Sequence, residues 1–406
     1  MSKRALNCEQ KIISQACSTS LLLRCSALNY LISSFLESAD LHELLQCSHQ
    51  CKTKLYIWFI MKSIWSHDRV LSLAKEHYKH VRFFFLSNVS KVDVTQFPAL
   101  ELLESTHYVK EIPKSLKQLC FYYCSQKIVC GTLPPKLTHL TIGGGYNHSF
   151  SQETFPESLK ELRPGYLYNC KIDPNVLPSA LQSLIFGEQF NQTLDVNVLP
   201  ANLTYLEFGK RFERIIAIGV LPVGLKTLVF GKYFNHKLLC GMLPPTLTRL
   251  QFGRMYNQPL DGNALPPSII YLSMGSFFQQ PIEKNVLPRH LKTLILASYW
   301  NKKLVCGILS DCLTHLELGT FYNMPIEVDT LPNSLTYLKF GDRFNQFIAT
   351  HVLPNTLTTL IFGRDFNQEL RQDIFPSSLT HLRFGQRPLN IDVLPSNLKI
   401  LKFDSE

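Results

Sequence analysis

A Leu-Pro dipeptide, or a close variant of it, recurs every 22 residues along most of this 406-residue chain. The spacing is unbroken from Leu133 to Phe375. A further unit opens early at Leu394, and a degenerate one opens at Ile112. A short fixed period is typical of a solenoid, in which each unit forms one rung and packs on its neighbours. The repeat therefore predicts one elongated array, where length alone suggests two or three globular domains.

The unit has the consensus Leu-Pro-x-x-Leu-x-x-Leu-x-Phe-Gly-x-x-Phe-Asn-Gln-x-Leu. Leu206 and Phe208 are two positions apart, so a β-strand directs both to one face and Tyr205 and Glu207 to the other. A strand this short cannot bury its apolar face alone, so the rungs are predicted to stack as a parallel sheet around a shared core. The glycine column, represented by Gly209, is predicted to allow a sharp turn out of each strand.

Two neighbouring columns of the unit are almost uniform. An aromatic residue occupies one column in eleven consecutive units, and an asparagine follows it directly in nine of them, with Glu213 and Gln279 as exceptions. Rings at one position of every rung are predicted to pack along the axis. The asparagines are predicted to satisfy backbone groups that leave the strand pairing. A ligand-binding role for them is the alternative, but every rung has the same structural need.

These residues resemble the FNIP repeat, also called the IP22 repeat. Asn257-Gln-Pro-Leu and Tyr322-Asn-Met-Pro-Ile326 correspond to its core motif, and the resemblance covers about residues 112–403. FNIP repeats are similar to leucine-rich repeats, so the resemblance implies a leucine-rich-repeat-like parallel β-solenoid with 22-residue rungs. The family's usual range implies a source among social amoebae or giant viruses of amoebae.

The outward strand positions carry a longer period, in which similar residues return on every third unit. Tyr205, Tyr271 and Tyr337 share one phase of it, and Arg249 shares another with two histidines. Aromatic and arginine side chains are favoured as interface anchors. We predict that this strand face binds a target protein, and the candidate contacts are Tyr205, Glu207, Arg249, Gln251, Tyr271, His315, Glu317, Tyr337, Lys339, His381 and Arg383.

The first 96 residues lack the repeat and show helical spacing. Residues 28–36 follow an i, i+3, i+4, i+7, i+8 apolar pattern, and Asp40 with Glu43 forms a capping box before a second helix. A third helix is predicted to contain Leu55, Trp58 and Trp65. The predicted organisation is a tail over 1–22, a small all-α module over 23–66, a linker or helical cap over 67–111, and the solenoid over 112–403.

The stretch from Ile32 to Ser48 is similar to the F-box motif, although its leading Leu-Pro is missing and Ser38 replaces the turn proline. The resemblance implies that this module docks onto the Skp adaptor of a cullin ubiquitin ligase. It assigns the docking contacts to Leu28, Leu31, Ile32, Phe35, Leu36, Leu41 and Leu44. The alternatives are a helical cap over the first rung, and a repeat scaffold or inhibitor with no link to a ligase.

Charge and hydropathy favour protein partners over nucleic acid and membrane. The net charge of +10 divides into +6 for residues 1–132, with 16 basic against 10 acidic residues, and +4 for the remaining 25 against 21. Most of the chain is therefore close to balanced, whereas nucleic-acid binders concentrate basic residues on one face. Neither a membrane-spanning segment nor a secretory signal is recognised, so a cytoplasmic location is expected, in the host if the source is viral.

No cofactor, metal or catalytic residue is predicted. Cys47, His49 and Cys51 fit no standard zinc spacing. Cys130, Cys240 and Cys306 share one column and are several rungs apart, too far for one ion or a disulfide, so they are interpreted as small buried thiols. A binding protein is therefore predicted, and an enzyme with a site assembled on the strand face is the alternative.

Overall fold

The computed structural model describes residues 58–61, 83–86, 94–96, 98–386 and 394–403. Within these residues, seventeen strands form one parallel sheet, and each strand pairs in register with the strands before and after it in the chain. The strands are β1 (Trp58–Met61), β2 (Phe83–Leu86), β3 (Leu102–Ser105), β4 (Gln118–Phe121), β5 (His139–Ile142), β6 (Glu161–Arg163), β7 (Ser183–Ile185), β8 (Tyr205–Glu207), β9 (Thr227–Val229), β10 (Arg249–Gln251), β11 (Tyr271–Ser273), β12 (Thr293–Ile295), β13 (His315–Glu317), β14 (Tyr337–Lys339), β15 (Thr359–Ile361), β16 (His381–Phe384) and β17 (Ile400–Phe403). Two short 3-10 helices span Val94–Gln96 and Gln372–Ile374.

Each strand from β6 to β15 is three residues long and has one buried leucine at its centre. In β8, Leu206 is fully buried between the partly exposed Tyr205 and Glu207, and Phe208 turns inward directly afterwards. The same alternation recurs on the following rungs, so the leucines and phenylalanines share one continuous core. The parallel solenoid predicted from the repeat is confirmed.

The aromatic column is buried and stacked, as predicted. The rings of Phe212, Phe234 and Tyr256 are parallel to within 10°, with neighbouring centroids 6.3 Å apart. Each also lies against the phenylalanine that directly follows the strand of its own rung, as Phe212 does against Phe208 with centroids 3.8 Å apart. Trp300, the largest member, is 1% exposed.

The asparagine column forms the predicted ladder. The side-chain oxygen of Asn147 accepts a hydrogen bond from the backbone N–H of Asn169, and Asn169 repeats this contact with Asn191. The ladder continues through the later asparagines. Among the described rungs, the ladder is interrupted at two steps, from Glu213 to Asn235 and from Gln279 to Asn301, where the earlier rung does not carry asparagine.

The glycine column has a different cause from the one predicted. Gly231 does not have a positive φ, so the turn does not require glycine for its backbone conformation. A Cβ at Gly231 would lie 1.8 Å from the carbonyl oxygen of Gly209, and one at Gly209 would lie 1.7 Å from that of Gly187. Gly209 and Gly231 are therefore glycine because the backbones of successive rungs approach too closely for a side chain. Two members of the column differ, since Ala297 carries a buried methyl group and Gly165 has a positive φ of 100°.

A second backbone feature was not anticipated. One residue shortly before the Leu-Pro pair has a positive φ in most rungs, at 67° for Asn197 and 86° for Gly219. Glycine and asparagine tolerate this left-handed conformation, whereas Glu153 and His351 adopt it at a cost. This position reverses the chain before it enters the next strand.

The helical predictions for the N-terminal region have two outcomes. The helix predicted around Trp58 is wrong for Trp58–Met61, because these residues form β1 and pair in parallel with β2. The region predicted as a linker or helical cap contains β2 and β3, so the sheet begins well before residue 112. The tail, the first two predicted helices and all seven predicted adaptor contacts lie outside the described residues.

Candidate functional site

The eleven predicted partner contacts lie in two adjacent rows on the strand face, between β8 and β16. The first row passes from Tyr205 through Thr227, Arg249, Tyr271, Thr293, His315, Tyr337 and Thr359 to His381. The second row lies two residues later on each strand. It passes from Glu207 through Gln251, Glu317 and Lys339 to Arg383. In-register pairing thus joins residues from nine successive strands, far apart in the sequence, into one surface.

Exposure on the strand face differs by residue type, and both rows contain exposed and partly buried side chains. The tyrosines, histidines and glutamates of the predicted set are partly buried, whereas Arg249, Gln251, Lys339 and Arg383 are exposed. Long side chains on neighbouring strands cover part of each ring, since parallel strands are about 4.8 Å apart. The face therefore presents ring edges and charged groups together.

The first part of the face is organised by two contacts. The guanidinium of Arg249 lies 3.4 Å from the ring centroid of Tyr271, a close cation–π contact. The hydroxyl of Tyr205 donates a hydrogen bond of 2.6 Å to the carboxylate of Glu207. Burial and this hydrogen bond to Glu207 raise the pKa of Tyr205 to about 12. Both pairs fix the aromatic rings in place on the surface.

The second part of the face contains a four-residue network. The rings of His315 and Tyr337 stack at 4.0 Å, and His315 lies 3.1 Å from the carboxylate of Glu317. The ammonium of Lys339 donates to the other oxygen of Glu317 at 3.0 Å. Burial acts to raise the pKa of Glu317, but the hydrogen bonds from His315 and Lys339 outweigh it and leave the pKa below its usual value.

The sequence-based list missed the apolar members of the second row. Val229, Ile295 and Ile361 face outward and are only partly buried, one on every third strand. They occupy the same column as Glu207 and Glu317, so the longer period that identified the tyrosines also marks them. The outward side chains therefore alternate between apolar, aromatic and charged types from strand to strand.

The cysteine prediction is wrong. Cys130, Cys240 and Cys306 are exposed, because their column lies just before the Leu-Pro pair, where the chain turns at the surface. In the described part of the chain, no group of three or more His, Cys, Asp or Glu side chains is placed to hold a metal ion. Among the described residues, no helix has the length and the apolar character needed to cross a bilayer.

The remaining shifted ionisable groups have structural causes. Burial raises the pKa of Tyr168, Tyr256 and Tyr322, all in the stacked aromatic column. Burial, followed by the nearby Glu317 carboxylate, raises the pKa of Tyr337. The Glu317 carboxylate and the Tyr205 hydroxyl each form direct hydrogen bonds with neighbouring side chains on the strand face. These shifts follow from core packing and from paired surface groups.

The repeated strand, buried ring and asparagine ladder define the class as a leucine-rich-repeat-type solenoid. The FNIP Repeat model matches nine segments that together cover residues 109–406, so the chain belongs to the FNIP repeat family. The structure is similar to the crystal structure of CroV588, described as a novel circular LRR protein, with a TM-score of 0.68 and 37% identity over 80% of this chain. The chain spans about half of that protein, 53% of its length.

Weaker similarity extends to proteins of two bacteria. An internalin (InlF) from Listeria monocytogenes matches 82% of this chain and 89% of its own chain at 19% identity, with a TM-score of 0.47. YopM from Yersinia enterocolitica matches at 18% identity over 80% of this chain and 87% of its own, with a TM-score of 0.40. No curated protein matches the chain.

Proposed function

We propose that this chain is a protein-binding repeat protein whose strand face captures a target protein. The observation that carries the proposal is the continuous double row of aromatic, apolar and charged side chains from β8 to β16. Interfaces of proteins that bind proteins are enriched in tyrosine and arginine anchors. Tyr205, Tyr271 and Tyr337 supply one such anchor on every third strand.

Preorganisation supports the same proposal. Arg249 holds Tyr271, Glu207 holds Tyr205, and Glu317 with His315 holds the surroundings of Tyr337 before any partner arrives. Side chains that are already ordered lose less entropy on binding, so more of the contact energy contributes to affinity. The target is therefore expected to meet a rigid surface.

The test is quantitative affinity capture with the full chain and a triple variant, Tyr205→Ala, Tyr271→Ala and Tyr337→Ala. The control triple variant removes exposed apolar side chains elsewhere, at Ile215→Ala, Ile218→Ala and Val223→Ala, which are 66%, 60% and 68% exposed. A protein recovered with the wild type and the control, but lost with the tyrosine variant, supports the proposal. Equal recovery with all three forms contradicts it.

A second proposal concerns the N-terminal region and its role once a target protein is bound. We propose that residues 23–57, which precede β1, act as an F-box-like module that docks the Skp adaptor and, through it, a cullin, so that the chain serves as a substrate-recognition subunit of a ubiquitin ligase. The sequence from Ile32 to Ser48 supports this proposal through its resemblance to the F-box motif. A scaffold or inhibitor that binds its partner without a ligase is the competing function.

Co-purification of the full chain with the Skp adaptor separates these functions. Recovery of the adaptor that is lost in Leu41→Ala with Leu44→Ala, and kept in the matched pair Leu21→Ala with Leu22→Ala, supports the ligase function. Failure to recover the adaptor with the unaltered chain would exclude it and leave the scaffold or inhibitor.

A further inference from the structure

A row of large, partly exposed side chains lies in the turns that follow the strands. Tyr233, Met255, Phe277, Tyr299 and Phe321 occupy the second position after the glycine column in five consecutive rungs. Tyr233, Tyr299 and Phe321 are 44%, 38% and 39% exposed. We define the turn ridge as the two positions that follow this column in six rungs, which are Lys210, Arg211, Lys232, Tyr233, Arg254, Met255, Ser276, Phe277, Ser298, Tyr299, Thr320 and Phe321.

The rings of the turn ridge are fixed with their edges outward. The centroids of Phe277 and Tyr299 are 4.8 Å apart, and those of Tyr299 and Phe321 are 4.7 Å apart, with nearly parallel planes. The backbone N–H of Tyr299 donates to the carbonyl of Ser276, and that of Phe321 donates to the carbonyl of Ser298. Ring edges carry partial positive charge, so this row attracts carboxylate and carbonyl oxygens as well as apolar groups.

The other half of the turn ridge is cationic. Four of its twelve residues are Lys or Arg, and none is Asp or Glu. Lys232 lies 4.8 Å from the ring centroid of Tyr233, and Arg254 lies 5.3 Å from that of Phe277, so cations and rings form one continuous surface. Acidic residues occupy the rungs on either side, where Glu188 pairs with Lys210 and Asp365 pairs with Arg343. These carboxylates offset part of the positive charge at and beyond the two ends of the ridge.

We propose that the turn ridge is a second docking site that binds an extended acidic and aromatic segment of a partner protein. The acidic residues of that segment lie along Arg211, Lys232 and Arg254, and its apolar residues lie on Phe277, Tyr299 and Phe321. Six rungs about 4.8 Å apart span roughly 24 Å, which matches about seven residues of extended chain. This site is distinct from the strand face and does not depend on the function proposed for that face.

The geometry favours a protein segment over other anions. Single-stranded nucleic acids bind through bases that stack on open aromatic faces. Here Phe277 and Phe321 cover both faces of Tyr299, and Arg254 lies over the ring of Phe277, so few open ring faces remain. A membrane surface is bound by a broad apolar face that enters the interface. The turn ridge is one ring wide and is bordered by the hydroxyls of Ser276, Ser298 and Thr320, which suit hydrogen bonding to a peptide backbone.

The experiment measures binding to the full chain by fluorescence anisotropy. The probes are a fluorescein-labelled peptide with four consecutive glutamates, two glycines and the run Phe-Leu-Trp-Leu, and the same sequence reversed, because the ridge accepts a chain in either direction. The variants are Arg254→Glu and Phe321→Ser, both at surface positions, and the control is Ile215→Ala, which removes an exposed side chain outside both the turn ridge and the strand face. Thermal unfolding of each variant verifies that the fold is retained.

We expect at least one of the two peptides to bind the wild type and the control equally. Each ridge variant should weaken this binding about tenfold or more, and raising the salt from about 50 to about 300 mM should weaken it similarly. Failure of both peptides to bind, or unchanged affinity in Arg254→Glu, overturns the proposal. Binding of an oligothymidylate or of vesicles with phosphatidylserine that is lost in the same variants, without peptide binding, would reassign the ridge to that ligand.

Discussion

The inner columns of this solenoid and its strand face differ in how they repeat. The buried rings and the asparagines recur on every rung, with only occasional exceptions. The outward strand positions recur on every third rung or not at all, as with Arg249 and Gln251. Positions that every rung needs are uniform because each rung solves the same packing problem. Positions that vary between rungs are therefore the ones available for recognition.

The largest expected effect comes from a substitution in the buried inner columns. Phe234→Ala removes a fully buried ring between Phe212 and Tyr256, so the free energy of unfolding should fall by about 3–5 kcal/mol. Gln251→Ala on the exposed strand face should change it by less than about 0.5 kcal/mol. Urea unfolding followed by circular dichroism measures both. Similar losses from the two variants would break the comparison.

The glycine column gives the next largest effect. In Gly231→Ala, the new methyl group meets the carbonyl oxygen of Gly209, so neighbouring rungs must separate, and about 3 kcal/mol of stability should be lost. Gly262→Ala is the matched control, because its Cβ would lie 3.8 Å from the nearest atom, the carbonyl oxygen of Asn285. If both substitutions are tolerated equally in urea unfolding, close approach does not explain the column.

Substitutions in the asparagine ladder should change stability by a smaller amount. The ladder also offers an opposite test at Glu213, where the asparagine is missing. Asn257→Ala removes the acceptor for the N–H of Gln279 and for the Gln280 side chain, and should cost about 1–2 kcal/mol. Glu213→Asn should add about 1 kcal/mol by completing the bond to Asn235. Chemical unfolding of both variants measures these changes. Stabilisation by Asn257→Ala, or destabilisation by Glu213→Asn, would contradict the structural role of the column.

The smallest effect is on the face and depends on pH. The pKa of Glu317 is lowered in the folded state, so its charged form adds stability above the ordinary glutamate pKa of about 4.3, and this is lost as the pH falls through the folded-state value. At neutral pH, the free energy of unfolding of the wild type should exceed that of Glu317→Gln by only a few tenths of a kcal/mol, because the ion pairs are partly exposed. That difference should disappear in acid.

Lys339→Met provides the control for this prediction. It removes the ammonium that lies 3.0 Å from Glu317, so replacing Glu317 in the Lys339→Met background should have less effect at neutral pH than in the wild type. Thermal unfolding across pH 3 to 7 measures both differences, within the range where glutamate titrates. A pH-independent difference would show that Glu317 acts through packing alone.

Much of the array follows from the sequence because the repeat supplies many independent copies of each position. The strand centres, the stacked rings and the asparagine ladder were predicted from columns, and the structure confirms them. The three strands β1, β2 and β3 were not predicted, because they begin at Trp58, Phe83 and Leu102, at unequal intervals that differ from the period of the repeat. Without a period, the apolar run around Trp58 fits a helix and a strand equally.

The candidate site was only partly predictable. The three-rung period located Tyr271 and Arg249, but the close cation–π contact between them depends on rotamers that no pattern encodes. Cys240 was assigned to the interior because cysteine is commonly buried, whereas its column lies at a surface turn. The turn ridge was missed for a similar reason, because Tyr299 and Phe321 stand directly before the regular ring column and blend with it in sequence.

The direction of the asparagine ladder bears on how the molecule is made. In each step the donor is the backbone of the later rung, and the acceptor is the side chain of the earlier one, as from Asn169 to Asn147. Chains emerge from the ribosome N-terminal end first. Wherever the earlier rung carries the asparagine, a newly synthesised rung therefore finds its acceptor already in place, so the ladder can form in step with translation.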